Sequence, residues 1–469
     1  MPPLPALRLL RRPASGAFAF AALIFIVAVA RFYNGVLPSY ISSSRWHYSK
    51  ISEFYRDPRD GSRYYKFKTP SFFPPSNDSR LSKVDPCAGF PVQLLNSIQI
   101  VLKTGTGEPA KTKAHLDTVT SCIPNLLIFS DNEELINGHH VIDILADLPG
   151  SFQNIPDFAA YSSQKQAYAS GKAVGYSPED WKLDRFKFLP MVEKAHEMRP
   201  DADWYVFIES DVYYFWDTLF RLLSQLDPSK MHYMGSPAPG ADGTFFAYGG
   251  AGFVLSAGLM ERLTEDHVPL SVRYEEHVQT GCCGDAILGQ AILNKTGERL
   301  QALYPTFAGD ELDGLKIDQE RWCIPLLSLH RVSPEQMSSL WEWERNRAYD
   351  QDPFTHSTIA DYISPGIFEA PVRTAWDNYA GDVQPEDSPA HASAAACAQT
   401  CESERSCLQY QYSDGICKFG TFYQKGRQRD GAAITSGWDT KKMVVMGHRA
   451  DVKKSSSCSE PTWLRPEVR

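Results

Sequence analysis

Two carboxylates one residue apart, Glu209 and Asp211, stand at the end of an apolar run, Trp204-Tyr-Val-Phe-Ile208. A second apolar run, Val212-Tyr-Tyr-Phe215, follows at once. Short continuous apolar runs predict buried strands. The carboxyl ends of strands in open α/β sheets are where such sheets bind ligands. Two acids at this spacing can share a hard divalent cation, and that cation can hold a diphosphate. An edge strand ending in a solvated acidic turn would show the same triplet. A further acid, Asp285, opens the stretch Asp285-Ala-Ile-Leu-Gly-Gln-Ala-Ile-Leu293. Such an acid either complements a helix dipole or works as a general base.

The elements that must position these groups alternate between strand and helix. Ile98-Gln-Ile-Val-Leu102 predicts a strand, with Lys103-Thr-Gly-Thr-Gly107 as its turn. Leu126-Leu-Ile-Phe129 predicts a second strand, ending in Ser130-Asp131. Residues 181–199 have helical spacing, interrupted by Pro190, and 219–226 predict a short helix. Tyr248-Gly-Gly-Ala-Gly-Phe-Val-Leu-Ser256 reads as a glycine turn entering a strand. This alternation predicts a three-layer α/β domain. No internal repeat of 20–50 residues is visible.

The chain has 469 residues, 43% hydrophobic and 22% charged, with a net charge of -9. That acidic balance, with no basic block beyond the first dozen residues, excludes a nucleic-acid partner. Arg8, Arg11 and Arg12 precede an acid-free apolar run over 14–30. At ~1.5 Å per residue that run nearly crosses a ~30 Å hydrocarbon core. Basic residues before it favour a cytoplasmic N-terminus, and its length, greater than a typical signal-peptide core, with the aromatic residues that follow favours an uncleaved anchor. The rival is a cleaved signal peptide, since Ala28-Val29-Ala30 fits a small-x-small site. Both put the rest of the chain in the secretory lumen. Ten cysteines, an even number, and the sequons at Asn77 and Asn294 agree with that compartment. Cys397, Cys401, Cys407 and Cys417 fall within a short helix-then-strand segment and predict a disulfide staple, with zinc as the alternative. Cys458 has no deducible partner. The expected divisions are a tail (1–13), an anchor (14–33), a stem (34–88), the α/β domain (89–350), a linker (351–390) and a cysteine-rich module (391–460).

Six segments, in this order, resemble the inverting β-1,3-glycosyltransferases of the Fringe and core-1 β-1,3-galactosyltransferase type. Ile98-Gln-Ile-Val-Leu-Lys-Thr104 looks like the family's first strand and Lys-Thr turn, and Leu127-Ile-Phe-Ser-Asp131 like its second strand. Asp203-Trp-Tyr-Val-Phe-Ile-Glu-Ser-Asp211 resembles the metal-binding strand, and Gly249-Gly-Ala-Gly-Phe-Val-Leu-Ser256 the glycine segment. Gly284-Asp-Ala-Ile-Leu-Gly289 is similar to the acidic segment that opens a helix, and Ser328-Leu-His-Arg-Val332 to the late histidine segment. The likeness covers about 95–345, and the cysteine-rich module looks like a PAN/apple domain.

The resemblance implies a GT-A fold, a UDP-sugar donor and Mn²⁺ bridging its diphosphate. Asp211, with Glu209 and His330, would hold the metal; imidazole plus carboxylate suits Mn²⁺ better than Ca²⁺. Lys103, Thr104, Asp131, Glu209, Ser210, Gly249 and Gly250 would line the donor site. Asp285 would be the general base, with Glu275 and Glu276 as spare acids nearby. The family usually carries an Asp-x-Asp pattern, whereas the triplet here is Glu209-Ser210-Asp211. Adjacent Cys282 and Cys283 also depart from the pattern. Trp181 and Trp204 can stack on a sugar or pack in a core. The expected activity adds galactose or N-acetylglucosamine in β-1,3 linkage to a glycan or glycoprotein, at the Golgi membrane. The alternatives are a catalytically inactive lumenal protein that binds glycans or proteins, and a glycoside hydrolase with paired carboxylates.

Overall fold

The structure is a computed structural model that describes residues 53–55, 62–74, 85, 87–171, 182–240, 243–266, 268–347, 352–447, 458 and 460–469. The chain divides into residues 1–47 and 48–469, and all described residues lie in the second unit. The expected anchor, the Asn77 sequon and Trp181 lie outside the described residues. No helix among the described residues is long and apolar enough to cross a membrane.

The centre is a mixed nine-stranded sheet. Trp204–Glu209 pairs in parallel with Ile98–Lys103, which pairs in parallel with Leu127–Ser130, which pairs in parallel with His139–Asp143. Four parallel strands therefore end at one edge, with Lys103 opposite both Glu209 and Phe129. Phe253–Ser256 runs antiparallel beside Trp204–Glu209, with Phe253 opposite Phe207. Its preceding turn thus returns to the edge where the acidic strand ends.

The apolar runs are buried on both faces, which is why they lack polar alternation. Tyr205 and Phe207 join the core beneath the helices Asp184–Met198, Ala257–Thr264 and Gly284–Thr296. Their neighbours Val206 and Ile208 point the other way and are equally buried. Trp204, wholly buried, is a core residue. The helix Asp184–Met198 continues through Pro190, where the sequence suggested a break. Burial of Phe186, Phe188, Leu189, Met191 and Val192 outweighs a proline cost of about 3 kcal/mol.

Part of the expected stem packs onto this body. Ser71 Oγ donates to Asp217 Oδ1 at 2.8 Å, and Phe73 meets Phe90 and Phe220. Tyr64–Lys66 pairs with Thr462–Leu464, and Cys323 is bonded to Cys458. The C-terminal module is a five-stranded sheet covered by the helix Ala394–Ser403. Cys397–Cys417 and Cys401–Cys407 are disulfides, so none of the four cysteines is left as a zinc ligand. The sheet also includes Val372–Thr374 and Asp382–Val383, from the stretch expected to be linker. The module grips the α/β body through Lys425 Nζ on Asp313 Oδ1 at 2.9 Å and the bridge between Ile317 and Tyr423.

Phe207 tests the core: its ring stacks on Phe253 at 4.8 Å and is 1% exposed. Phe207→Ala is expected to lose about 3–5 kcal/mol in urea unfolding. A loss below ~1 kcal/mol would contradict this packing.

Candidate metal and transfer site

The acidic strand delivers Glu209 at its last position and Asp211 in the turn beyond. The next pair, Tyr213–Tyr214, is antiparallel to Ser328–Leu329, with Leu329 opposite Tyr213. Val332 N donates to Asp211 O at 3.0 Å, and His330 N to Asp310 O at 2.9 Å. These backbone bonds carry His330, distant in sequence, to Asp211, with Nε2 3.6 Å from Oδ1. One ligand atom each from Glu209, Asp211 and His330 lies within 4.8 Å of the others.

The site suits a cation on three grounds. Asp211 Oδ1 is buried and has no hydrogen-bond partner, which is costly for a carboxylate. His330 Nδ1 lies 3.1 Å from the Tyr248 hydroxyl. With Nδ1–H assigned as donor to that hydroxyl, Nε2 keeps its lone pair toward Asp211. Burial pulls the His330 pKa down against the pull of Asp211, keeping the imidazole in its neutral, metal-binding form. Finally, a Cβ on Gly250 would sit 2.5 Å from His330 Cε1, so only glycine admits the ring there.

Asp285 stands one residue away from this cluster. Its Oδ2 accepts from Gly249 N and its Oδ1 from Ala286 N, each at 2.9 Å. A Cβ on Gly249 would lie 3.0 Å from Glu209 Oε1, so the same glycine separates the two acids. Burial raises the Asp285 pKa despite these two backbone donors, which strengthens it as a base.

Three lysines organise the remaining charge. Lys103 Nζ is 3.1 Å from Glu209 Oε1, bonds Asp184 and lies 4.6 Å from the centre of the Phe188 ring. Burial lowers its pKa, but Asp184 and Glu209 outweigh that and raise it. Burial holds Glu209 above the usual carboxylate range, with Lys103 opposing. Lys187 Nζ is 2.9 Å from Asp131 Oδ2, and both side chains are buried. Burial would raise Asp131, but Lys187 and Thr106 bring it down to about 2. Lys111 Nζ is 3.0 Å from Asp211 Oδ2 and also bonds Glu108.

The three lysines, with Asp131, Asp184, Glu209, Asp211, Asp285 and His330, line one cleft of about 810 Å³. Of the residues singled out in the sequence, Lys103, Thr104, Asp131, Glu209, Ser210, Asp211, Gly250, Asp285 and His330 line it. Gly249 is buried beside Glu209. Asp131 is already committed to Lys187 and Thr106. Glu275 and Glu276 sit on the short helix Glu275–Thr280, and neither lines the cleft. Lys111, Asp184, Lys187 and the orienting role of Tyr248 did not emerge from the sequence. The visible signal was Lys187, a charge between Phe186 and Phe188 on a buried helix face.

No protein-family model and no curated protein matches the chain. Among solved structures it is similar to a glycosyltransferase involved in glycosylation of the major capsid of PBCV-1, with 12% identity over 52% of this chain and 99% of that one, TM-score 0.23. It is similar to the glycosyltransferase GlyE of Streptococcus pneumoniae, with 14% identity over 58% and 64% of the two chains, TM-score 0.25. A mannose-1-phosphate geranyltransferase from Thermus thermophilus gives 12% identity over 44% and 72%, TM-score 0.20. TM-scores this low carry no inference about fold or function.

If the cluster holds a divalent cation, Gly250→Ala is expected to weaken its binding by about tenfold or more, ~1.4 kcal/mol, in a calorimetric titration. Unchanged affinity would remove His330 from the ligand set. Separately, His115 Nε2 lies 3.0 Å from Val212 O, beside the turn that carries Asp211, and burial lowers its pKa to about 4. The unfolded histidine takes up its proton near 6.5. The stability from neutral His115 is thus full above that value and is lost as pH falls toward about 4. His115→Gln should flatten this acid limb in chemical-denaturation curves; an unchanged slope would count against it.

Proposed function

We propose that the chain is a Mn²⁺-dependent inverting glycosyltransferase of the Fringe and core-1 β-1,3-galactosyltransferase type. It moves galactose or N-acetylglucosamine from a UDP-sugar to a glycan or glycoprotein acceptor in β-1,3 linkage. The fold is read as GT-A, held at the Golgi membrane by the N-terminal anchor, with a PAN/apple-like module behind it. The observation that carries this reading is the convergence of Glu209, Asp211 and His330, with Asp285 across one glycine, in a single cleft.

Asp211 and His330 would hold the ion, and Glu209 would complete the set at the longer reach of its side chain. A bound Mn²⁺ supplies Lewis-acid stabilisation of charge on the departing diphosphate. Lys111, at the same carboxylate, is placed to meet a phosphate oxygen as a point charge. Lys103 fixes Glu209 against the helix that starts at Asp184. Asp285, held by two backbone donors, is oriented to take the proton of the acceptor hydroxyl. Inversion requires that hydroxyl to attack from the side opposite the leaving diphosphate. Asp285 and Asp211 on different elements of the cleft suit this division of labour.

A second reading is an inactive scaffold that binds glycans or proteins. It is favoured by the two ammonium groups, Lys103 on Glu209 and Lys111 on Asp211, which already neutralise the acids a metal would use.

The two separate in a UDP-release assay on the lumenal chain with UDP-galactose and UDP-N-acetylglucosamine. The transferase reading expects release that requires Mn²⁺ and stops with chelator. Asp285→Asn should lower turnover by about 10²–10⁴-fold while UDP affinity stays unchanged. Absent release, or donor binding indifferent to chelator, would favour the scaffold.

A further inference from the structure

Cys282 and Cys283 are bonded to each other. The other disulfides join residues 35, 135, 20 and 6 positions apart. Those close loops of chain and restrict the unfolded state; a bond between neighbours closes none, so it gains almost nothing by that route. The bond therefore calls for another use.

Its position suggests one. Both residues line the cleft, and Cys282 is exposed in it. Cys283 is the cap of the helix that begins Gly284-Asp285. The backbone here is held tightly: a Cβ on Gly284 would collide with Phe188 Cδ2 and lie 2.7 Å from Arg185 O. The disulfide closes an eight-membered ring, whose sulfur edge is apolar, polarisable and rigid. Phe246 also lines the cleft. An apolar, polarisable edge of this kind matches the C–H face of a pyranose. The diphosphate end of the cleft, by contrast, carries Glu209, Asp211 and Lys111.

We infer that the Cys282–Cys283 ring is the platform on which the acceptor sugar rests, its C–H face against the sulfurs and its attacking hydroxyl toward Asp285. This rests on the transferase reading, in which Asp285 meets the acceptor. The ring is thus a positioning and specificity element that touches the acceptor and not the nucleotide.

The test is Cys282→Ala/Cys283→Ala in the full lumenal chain. The probes are methyl β-galactopyranoside and methyl α-N-acetylgalactosaminide, with the donor that the wild type turns over. The expected result is an acceptor KM raised about tenfold with UDP affinity unchanged. An unchanged acceptor KM overturns the proposal, as does UDP affinity falling in step, which would place the nucleotide on the ring. If the variant does not fold, wild-type crystals soaked with the same glycosides decide. Sugar carbons in van der Waals contact with both sulfurs support the platform; sugar elsewhere, or none, overturns it. If the wild type turns over no donor, the transferase reading fails by itself. Saturation-transfer NMR with the glycosides then judges the platform: a signal lost in the variant supports it, and no wild-type signal overturns it.

Discussion

A buried ammonium organises this cleft. Lys103 ends the first parallel strand, where it is almost wholly enclosed. A buried charge survives only with partners. Asp184 supplies one from a helix, and Glu209 supplies the other from the neighbouring strand. The pairing fixes the helix against the carboxyl edge of the sheet and fixes how Glu209 leaves its strand. The Phe188 ring beneath Lys103 then sets the floor for Gly249 and Gly284. Both glycines sit against the same ring, so the glycine turn and the helix that carries Asp285 share one reference point.

Opposite charges are arranged in pairs along the edge, and each pair does a different task. Lys187 with Asp131 is sealed and serves as a strut between the second strand and the helix. Lys103 with Glu209 is partly open to the cleft. Lys111 with Asp211 is the most exposed of the three. Exposure grows toward the candidate cation site, so the cost of rearranging a pair falls where a ligand would have to rearrange it.

Four strands of the sheet, Ile98–Lys103, Leu127–Ser130, Trp204–Glu209 and Phe253–Ser256, were legible because they are unbroken apolar runs, whereas the shorter Glu134–Ile136, His139–Asp143, Tyr233–Gly235, Gln301–Ala302 and Glu467–Val468 were not. The helix after Gly284 was legible from its period and its first-turn Asp285. The ion pairs were not: Asp184 carries no spacing signal that separates it from a solvated helix face, and Lys187, though flanked by Phe186 and Phe188, gives no sign of its partner. Pro190 misled in the opposite direction: a local penalty was visible, whereas the packing that offsets it was not. The approach of His330 depends on pairing between Tyr213–Tyr214 and Ser328–Leu329, two strands of two residues each. Strands that short leave almost no pattern, and only the family resemblance pointed to that histidine. The partner of Cys458 could not be read either, since the loop it closes spans much of the fold.

The pairing of Tyr64–Lys66 with Thr462–Leu464 has a mechanical meaning. A chain tethered ahead of residue 62 would transmit tension into this body. That tension enters a β-pair whose other strand lies just past Cys458, itself covalently tied to Cys323. The load is shared by these main-chain hydrogen bonds, the Cys323–Cys458 rivet and the earlier contacts of Tyr55 with His232 and Asp227, and none of these groups belongs to the cluster of Glu209, Asp211 and His330.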